Sequence, residues 1–333
     1  MKAMLCKAFG LPENLVLEEV PSPKPDKEQV LIGVKACGVN FPDVLIIQDK
    51  YQFKPALPFS PGGEVAGVVK AVGEGVTNVK VGDRVCASIG SGGFAEEVLA
   101  DARRCIAVPE NVGWDVASSF TITYGTSYHA LKDRAQLKAG ENLVVLGAAG
   151  GVGLAAVELG KIMGARVIAG ASSQEKVDLA KSRGAVDGFV YPPTPLSRDQ
   201  QKALSDTIKQ LTGGQGADVL YDPVGDDYAE PALRAMNWDG RYLVIGFAAG
   251  NIPKVPLNLT LLKGCQIVGV FWGASTMRDL KGAHQNLADL MDMIAEGQLR
   301  PYVSARIPLA RAGEAIRMLM DRKAQGKVVV VMN

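Results

Sequence analysis

LVVLGAAGGVGLAAVELGK, residues 143–161, sets an apolar run directly before a glycine-rich turn and an apolar stretch with helical spacing directly after it. Strand, tight turn and helix in that order are the context of a loop that cradles a dinucleotide. In the pattern AxGxxG that starts at Ala148, Gly150 and Gly153 hold the second and third glycine positions. A side chain at Gly150 would keep a pyrophosphate from the backbone, and one at Gly153 would push helix from strand. The N–H groups at the start of the helix, at Gly151 and Val152, then face the phosphates with help from the helix dipole. Ala148 stands where the first glycine is usual, at little cost if its φ stays below zero.

About 20 residues further on, at the tip of the next strand, a site for NAD wants an Asp or Glu for the ribose 2′-hydroxyl. Here the chain reads Ala169, Gly170, Ala171, Ser172, Ser173, with no carboxylate at the tip. Ser172 and Ser173 offer hydroxyls, and Lys176 offers a charge one turn into the following helix. Those groups suit a 2′-phosphate, because a charge-assisted hydrogen bond is worth roughly 1.5–3 kcal/mol where a carboxylate would repel. The expected cofactor is NADPH. Ser172 and Ser173 also fit helix N-caps, and Glu175 next door works against a second phosphate.

The strand-then-helix rhythm of this loop continues through 166–171, 174–183, 217–221, 241–247 and 266–271, the pattern of a doubly wound parallel sheet. The first 120 or so residues differ. Short apolar or alternating runs at 29–34, 64–72 and 83–88 are broken by PSPKP (21–25) and GEGVTNVKVGD (73–83), which marks an all-β module. The tail carries helical spacing at 287–296 and 310–322 and a last strand at 327–332, and is expected to pack back on that module. A chain of 333 residues is longer than one core usually serves, so two domains are natural.

A net charge of +1 without a basic run gives nothing to draw nucleic acid or anionic lipid, and no run of eighteen apolar residues suggests a membrane span. The first ten residues lack the apolar core of a signal peptide, so the expected location is cytoplasmic. The five cysteines, Cys6, Cys37, Cys86, Cys105 and Cys265, stand singly without CxxC spacing and read as core thiols in a reducing compartment.

With VNFPD (39–43), GFAEE (93–97), YHAL (128–131) and AAGGVG (148–153), the chain resembles, along nearly its full length, the zinc-independent quinone oxidoreductases of the medium-chain dehydrogenase/reductase superfamily. It departs from the branch at Glu158, where Gln is common. The resemblance implies an α/β fold in which a Rossmann-type doubly wound sheet, 124–263, is joined to a GroES-like mainly-β catalytic domain, 1–123 completed by 264–333. It also implies that Tyr191 and Arg322 join Lys176 on the 2′-phosphate, that Thr126, Phe247 and Trp272 line the nicotinamide, and that Val224 touches the ribose. A homodimer through the sheet edge near 266–271 follows from it too, since an apolar edge strand invites a partner. Zinc-containing relatives place a Cys where Asn40 stands, a His where Gly63 stands and a third ligand near Ser118. Neither Gly nor Ser supplies the thiolate or imidazole such a site uses, so no metal is expected.

A zinc-free site must stabilise a developing oxyanion by hydrogen bonds, which suits hydride delivery to a quinone or an α,β-unsaturated carbonyl. The candidate groups are Asn40, to orient the carboxamide or an acceptor oxygen, Asp43, which better suits a structural role, capping or pairing at the mouth, and Tyr51. The segment 40–58 also resembles enoyl thioester reductases, in which a tyrosine at this position gives the substrate a proton. In quinone reductases a nearby tyrosine shapes the nicotinamide pocket instead. Three functions therefore stand open: an NADPH:quinone reductase, an NADPH-dependent enoyl or acryloyl thioester reductase, and a non-catalytic NADPH- or RNA-binding protein.

Overall fold

A computed structural model describes Met1–Met332. Seven strands come first: β1 (Lys2–Leu5), β2 (Val16–Glu19), β3 (Gln29–Val39), β4 (Glu64–Val72), β5 (Arg84–Ser88), β6 (Glu97–Asp101) and β7 (Cys105–Ala107). Six follow at longer intervals: β8 (Asn142–Val145), β9 (Arg166–Ala171), β10 (Asp187–Val190), β11 (Ala217–Asp222), β12 (Met236–Val244) and β13 (Gln266–Gly269). The last two are β14 (Val303–Pro308) and β15 (Lys327–Val331). The chain divides into two compact units, Met1–Thr123 with the segment from Lys281 onward, and Tyr124–Leu280.

In the first unit, β14, β15, β3, β4, β5 and β7 lie side by side in that order, and β6 pairs with β3. The eleven-residue β3 changes partner midway: Gln29–Gly33 pairs with β6 and Ala36–Val39 with β15. Alternate residues of β3 and β4, among them Val30, Ile32, Val34, Val65 and Val69, enter a core closed by Phe59, Phe94 and, from the tail, Ile316, Val328 and Val330. Residues of the other parity, among them Leu31 and Ala66, are buried as well, so these central strands are largely covered on both faces. The tail thus supplies two strands, β14 and β15, and part of the core.

The second unit is a six-stranded parallel sheet in the order β10-β9-β8-β11-β12-β13. Numbered within the unit, this is 3-2-1-4-5-6, the order of a Rossmann fold. Helices Gly151–Ile162, Gln174–Arg183 and Arg198–Leu211 make the crossovers from β8 to β11. Strand order reverses between β8 and β11, and ligands of such sheets sit at the carboxyl ends of the strands at that point. The return to the first unit comes at Lys281, not at the expected 264. The cause is β13, which pairs with β12 as the edge of the parallel sheet and holds the intervening residues in the second unit. No helix among the described residues is long and apolar enough to cross a membrane.

Candidate functional site

The loop after β8 takes its shape from two glycines. Gly147 adopts φ +59, a left-handed turn that brings Pro223 and Val224 of the loop after β11 close to it. At Gly153 a Cβ would fall inside the radius of the Gly147 carbonyl, so helix and strand meet here only without a side chain. Gly150 caps helix Gly151–Ile162, and the first helical bond runs from Leu154 N–H to its carbonyl, 2.8 Å. The N–H groups of Gly151, Val152 and Gly153 therefore have no acceptor within the helix. A Cβ at Gly150 itself would make only an ordinary 3.4 Å contact with Gly147 O. The chain's own packing does not demand glycine there.

Ala148 keeps out of the positive-φ region, as its place at the first glycine position asks; it is wholly buried and its N–H donates to Gly170 O at 3.0 Å. The loop after β11 is pinned from below by Asp222. One oxygen of its carboxylate accepts the N–H groups of Val224 (2.7 Å) and Gly225 (2.9 Å), and the other takes the Tyr242 hydroxyl. Burial pushes this carboxyl up, against the pull of those three donors. Val224 is thereby fixed beside Gly147, with Phe247 against Gly225. Half-buried Thr126 follows in the same region: its neighbour Ser127 donates to Val152 O (2.9 Å) and meets the Tyr221 hydroxyl (2.8 Å). Trp272 is half-buried at the start of helix Trp272–Arg278 beyond β13, and no hydrogen bond among the described residues ties it to the loop.

At the tip of β9, Ser173 caps helix Gln174–Arg183 by accepting the Lys176 N–H, and the Lys176 ammonium folds back onto Ser172 Oγ at 3.1 Å. Two hydroxyls and one cation thus share a corner with no carboxylate at the strand tip; Glu175 is exposed on the helix. Tyr191 is one strand over, its N–H on Ala171 O, but its ring is buried against Phe189 and Tyr228. Its hydroxyl accepts the Gly147 N–H at 3.2 Å, which ties it to the glycine loop. Arg322 belongs to the first unit, exposed in a left-handed turn after helix Ala312–Met320.

The first unit holds a polar cluster inside its core. Lys327, at the head of β15 and 3% exposed, donates from Nζ to Glu64 Oε1 (2.6 Å), Asn40 Oδ1 (2.7 Å) and Val39 O (3.1 Å). Glu64, with no exposed surface, also accepts Asn40 Nδ2 (2.9 Å), Thr121 Oγ1 (2.7 Å) and Ile122 N (3.0 Å). Asn40 was expected to face a cofactor or acceptor. Its amide nitrogen is instead taken by Glu64 and Gly38 O, and its oxygen by the Lys327 ammonium, so it positions its neighbours. Asp43 likewise is structural. It closes a capping box with Asn40 N–H (2.8 Å) and accepts Gly62 N–H (3.0 Å), while burial pushes it up to about 6 in spite of those bonds and Lys327 nearby. Tyr51 is half-buried against the core, and among the described residues its hydroxyl has no hydrogen-bond partner. Desolvation, then the Asp43 carboxylate, pushes that hydroxyl above the ordinary phenol range, so it keeps its proton at neutral pH.

Sequence reasoning missed Glu64 and Lys327. The available signal was a charge set directly before an apolar run at the head of each of two strands, in EVAGVV and KVVVV. The same cluster answers whether zinc fits. Both polar atoms of Asn40 are engaged, Gly63 offers no side chain, and buried Ser118 donates to Asp115 O at 3.2 Å. A lysine ammonium already neutralises the carboxylate, and no three His, Cys, Asp or Glu among the described residues are grouped to hold an ion. This donor set does not fit zinc.

Family models match in two places: the alcohol dehydrogenase GroES-like domain over residues 26–110 and the zinc-binding dehydrogenase over 151–292. The quinone oxidoreductase-like protein 2 homolog of Nematostella vectensis is 37% identical, over 99% of this chain and 88% of its own length. Human quinone oxidoreductase is 33% identical over 100% of this chain and 98% of its own. Among solved structures, a mycobacterial protein complexed with NADPH superposes with a TM-score of 0.92 at 32% identity, over 99% of this chain and all of that one. With a Rossmann-ordered parallel sheet, a glycine loop at its switch point and a mainly-β unit assembled from both ends of the sequence, the chain belongs to the quinone oxidoreductase branch of the medium-chain dehydrogenase/reductase superfamily.

Proposed function

We propose that the chain is an NADPH-dependent reductase that delivers hydride to a quinone or another conjugated carbonyl without a metal ion. The observation that carries this reading is the corner after β9, where Lys176 rests on Ser172 and Ser173 caps the helix, with no acid at the strand tip. Gly151, Val152 and Gly153 would hold the pyrophosphate by backbone N–H groups, and Lys176, Ser172 and Ser173 the 2′-phosphate, a set to which Arg322 and Tyr191 are assigned by resemblance. Bound there, NADPH supplies the hydride. Thr126, Val224, Phe247 and Trp272 are the proposed walls for its ribose and nicotinamide. Polarisation of the acceptor falls to hydrogen-bond donors, because Lys327 fills the role of the cation beside Asn40 and Glu64.

A specific observation keeps the thioester reading beside the quinone one: Tyr51 has a protonated hydroxyl without an internal partner, the state a proton donor needs. A panel of NADPH oxidation with 9,10-phenanthrenequinone, 1,4-benzoquinone and a crotonyl thioester separates the two. Quinone turnover with an inert thioester supports the first, and the reverse supports the second. No oxidation with any acceptor would remove both and leave a binding protein. The same reading places the protein in the cytoplasm, in keeping with its free cysteines, and as a homodimer joined along β13, whose Ile267 is exposed next to Leu261, Leu262 and Phe271 in sequence.

A further inference from the structure

Glu158, the departure from the family pattern, has no part in the site so far. It lies in the helix that opens with the glycine loop, among the buried Leu154, Ala155, Val157 and Leu159. A carboxylate in such company loses its hydration, and only partners offset the loss. It has two. The Tyr124 hydroxyl donates to Oε2 at 2.8 Å, and Arg183 Nη1 faces Oε1 at 3.4 Å. Arg183 is the last residue of helix Gln174–Arg183, whose first turn holds the Ser173 cap and Lys176. From 176 to 183 is about 10 Å along a helix. The ion pair therefore fastens the far end of the rod that carries Lys176 to the helix that carries the phosphate loop.

We propose that the Glu158–Arg183 pair is a positioning device for cofactor selectivity. It sets the tilt and rotation of helix Gln174–Arg183 against helix Gly151–Ile162, and through them the place of the Lys176 ammonium relative to the glycine loop. The inference rests on the reading that Lys176 receives the 2′-phosphate. A glutamine at 158 would still accept from Tyr124 but would give Arg183 no opposite charge. Selectivity, and not dinucleotide binding as such, is what the exchange should alter, because the N–H groups of Gly151–Gly153 stay where they are.

The test is calorimetric titration of the full chain with NADPH and with NADH, with melting temperatures measured in parallel. Glu158→Gln and Arg183→Met are each expected to weaken NADPH about three- to tenfold while NADH stays within about twofold. The double variant should be no weaker than either single one, as for two halves of one interaction, and Arg183→Lys should restore most of the NADPH affinity. Equal weakening of both nucleotides, or no change in either, overturns the proposal. Lys176→Ala distinguishes the levels: expected to weaken NADPH about ten- to hundredfold and spare NADH, it would, by treating both alike, sink the 2′-phosphate reading and this proposal together. If it discriminates while Glu158→Gln and Arg183→Met do not, only the positioning role falls.

Discussion

At the scale of single residues, the interior of the first unit makes the sharpest statements. Lys327 and Glu64 are both within a few per cent of complete burial, so each is the other's only charge compensation at contact distance among the described residues. Lys327→Met, close in size, leaves the carboxylate without its cation and is expected to cost about 3–5 kcal/mol in denaturant unfolding; a loss under about 1 kcal/mol would show that the pair contributes little. Asp43 has the opposite character. Because burial lifts it to about 6 from an ordinary value near 3.8, the folded chain binds its proton more tightly than the unfolded chain does. Its contribution to stability is therefore fully present below about pH 4 and declines as pH rises through about 6. Relative to Asp43→Asn, the wild type should lose about 2–3 kcal/mol between those limits; a flat difference across the window would contradict the lifted value. Tyr51→Phe should cut turnover of an enoyl thioester about 10²-fold if the hydroxyl gives the proton, and unchanged turnover removes it from that role.

At the scale of elements, the loop between β8 and its helix tolerates nothing larger than hydrogen at Gly153. Gly153→Ala sets a methyl against the Gly147 carbonyl and should lower stability by about 1–3 kcal/mol, read as a fall in melting temperature together with weaker binding of both nucleotides; an unchanged melt would mean that helix and strand have slack. Such demands explain what was legible in the sequence. Close approach of backbone to backbone leaves a glycine as its trace, and the strands and helices around the loop announce themselves by period. The crowding at Gly153 and the cap at Ser173 were readable for that reason. Asn40 was misjudged because a residue type shows its hydrogen-bonding capacity but not who uses it, and its users, Glu64 and Lys327, stand 24 and 287 residues away in the chain. The return at Lys281 was placed too early because β13, a four-residue strand, carries no mark of which sheet it joins.

At the scale of the whole molecule, the edge of the parallel sheet bears the next prediction. Leu261 is 79% exposed and Leu262 67%, on the helix just before the edge strand β13 with its exposed Ile267. Apolar side chains beside an unpaired strand favour association. Charging both, with Leu261→Glu and Ile267→Lys, should convert a dimer to a monomer in light scattering, and a mass unaffected by the changes would take the interface elsewhere. The change of partners along β3 bears on biosynthesis. Its first half finds β6 within the first hundred or so residues of translation, but its second half waits for β15, more than two hundred and eighty codons later. The ribosome completes the parallel sheet during that interval, so one unit can fold while the other keeps an open seam and an acid, Glu64, whose counter-ion has not been made. The nascent chain carries that exposed seam until nearly its last strand emerges, which makes its late translation the period of greatest need for a chaperone.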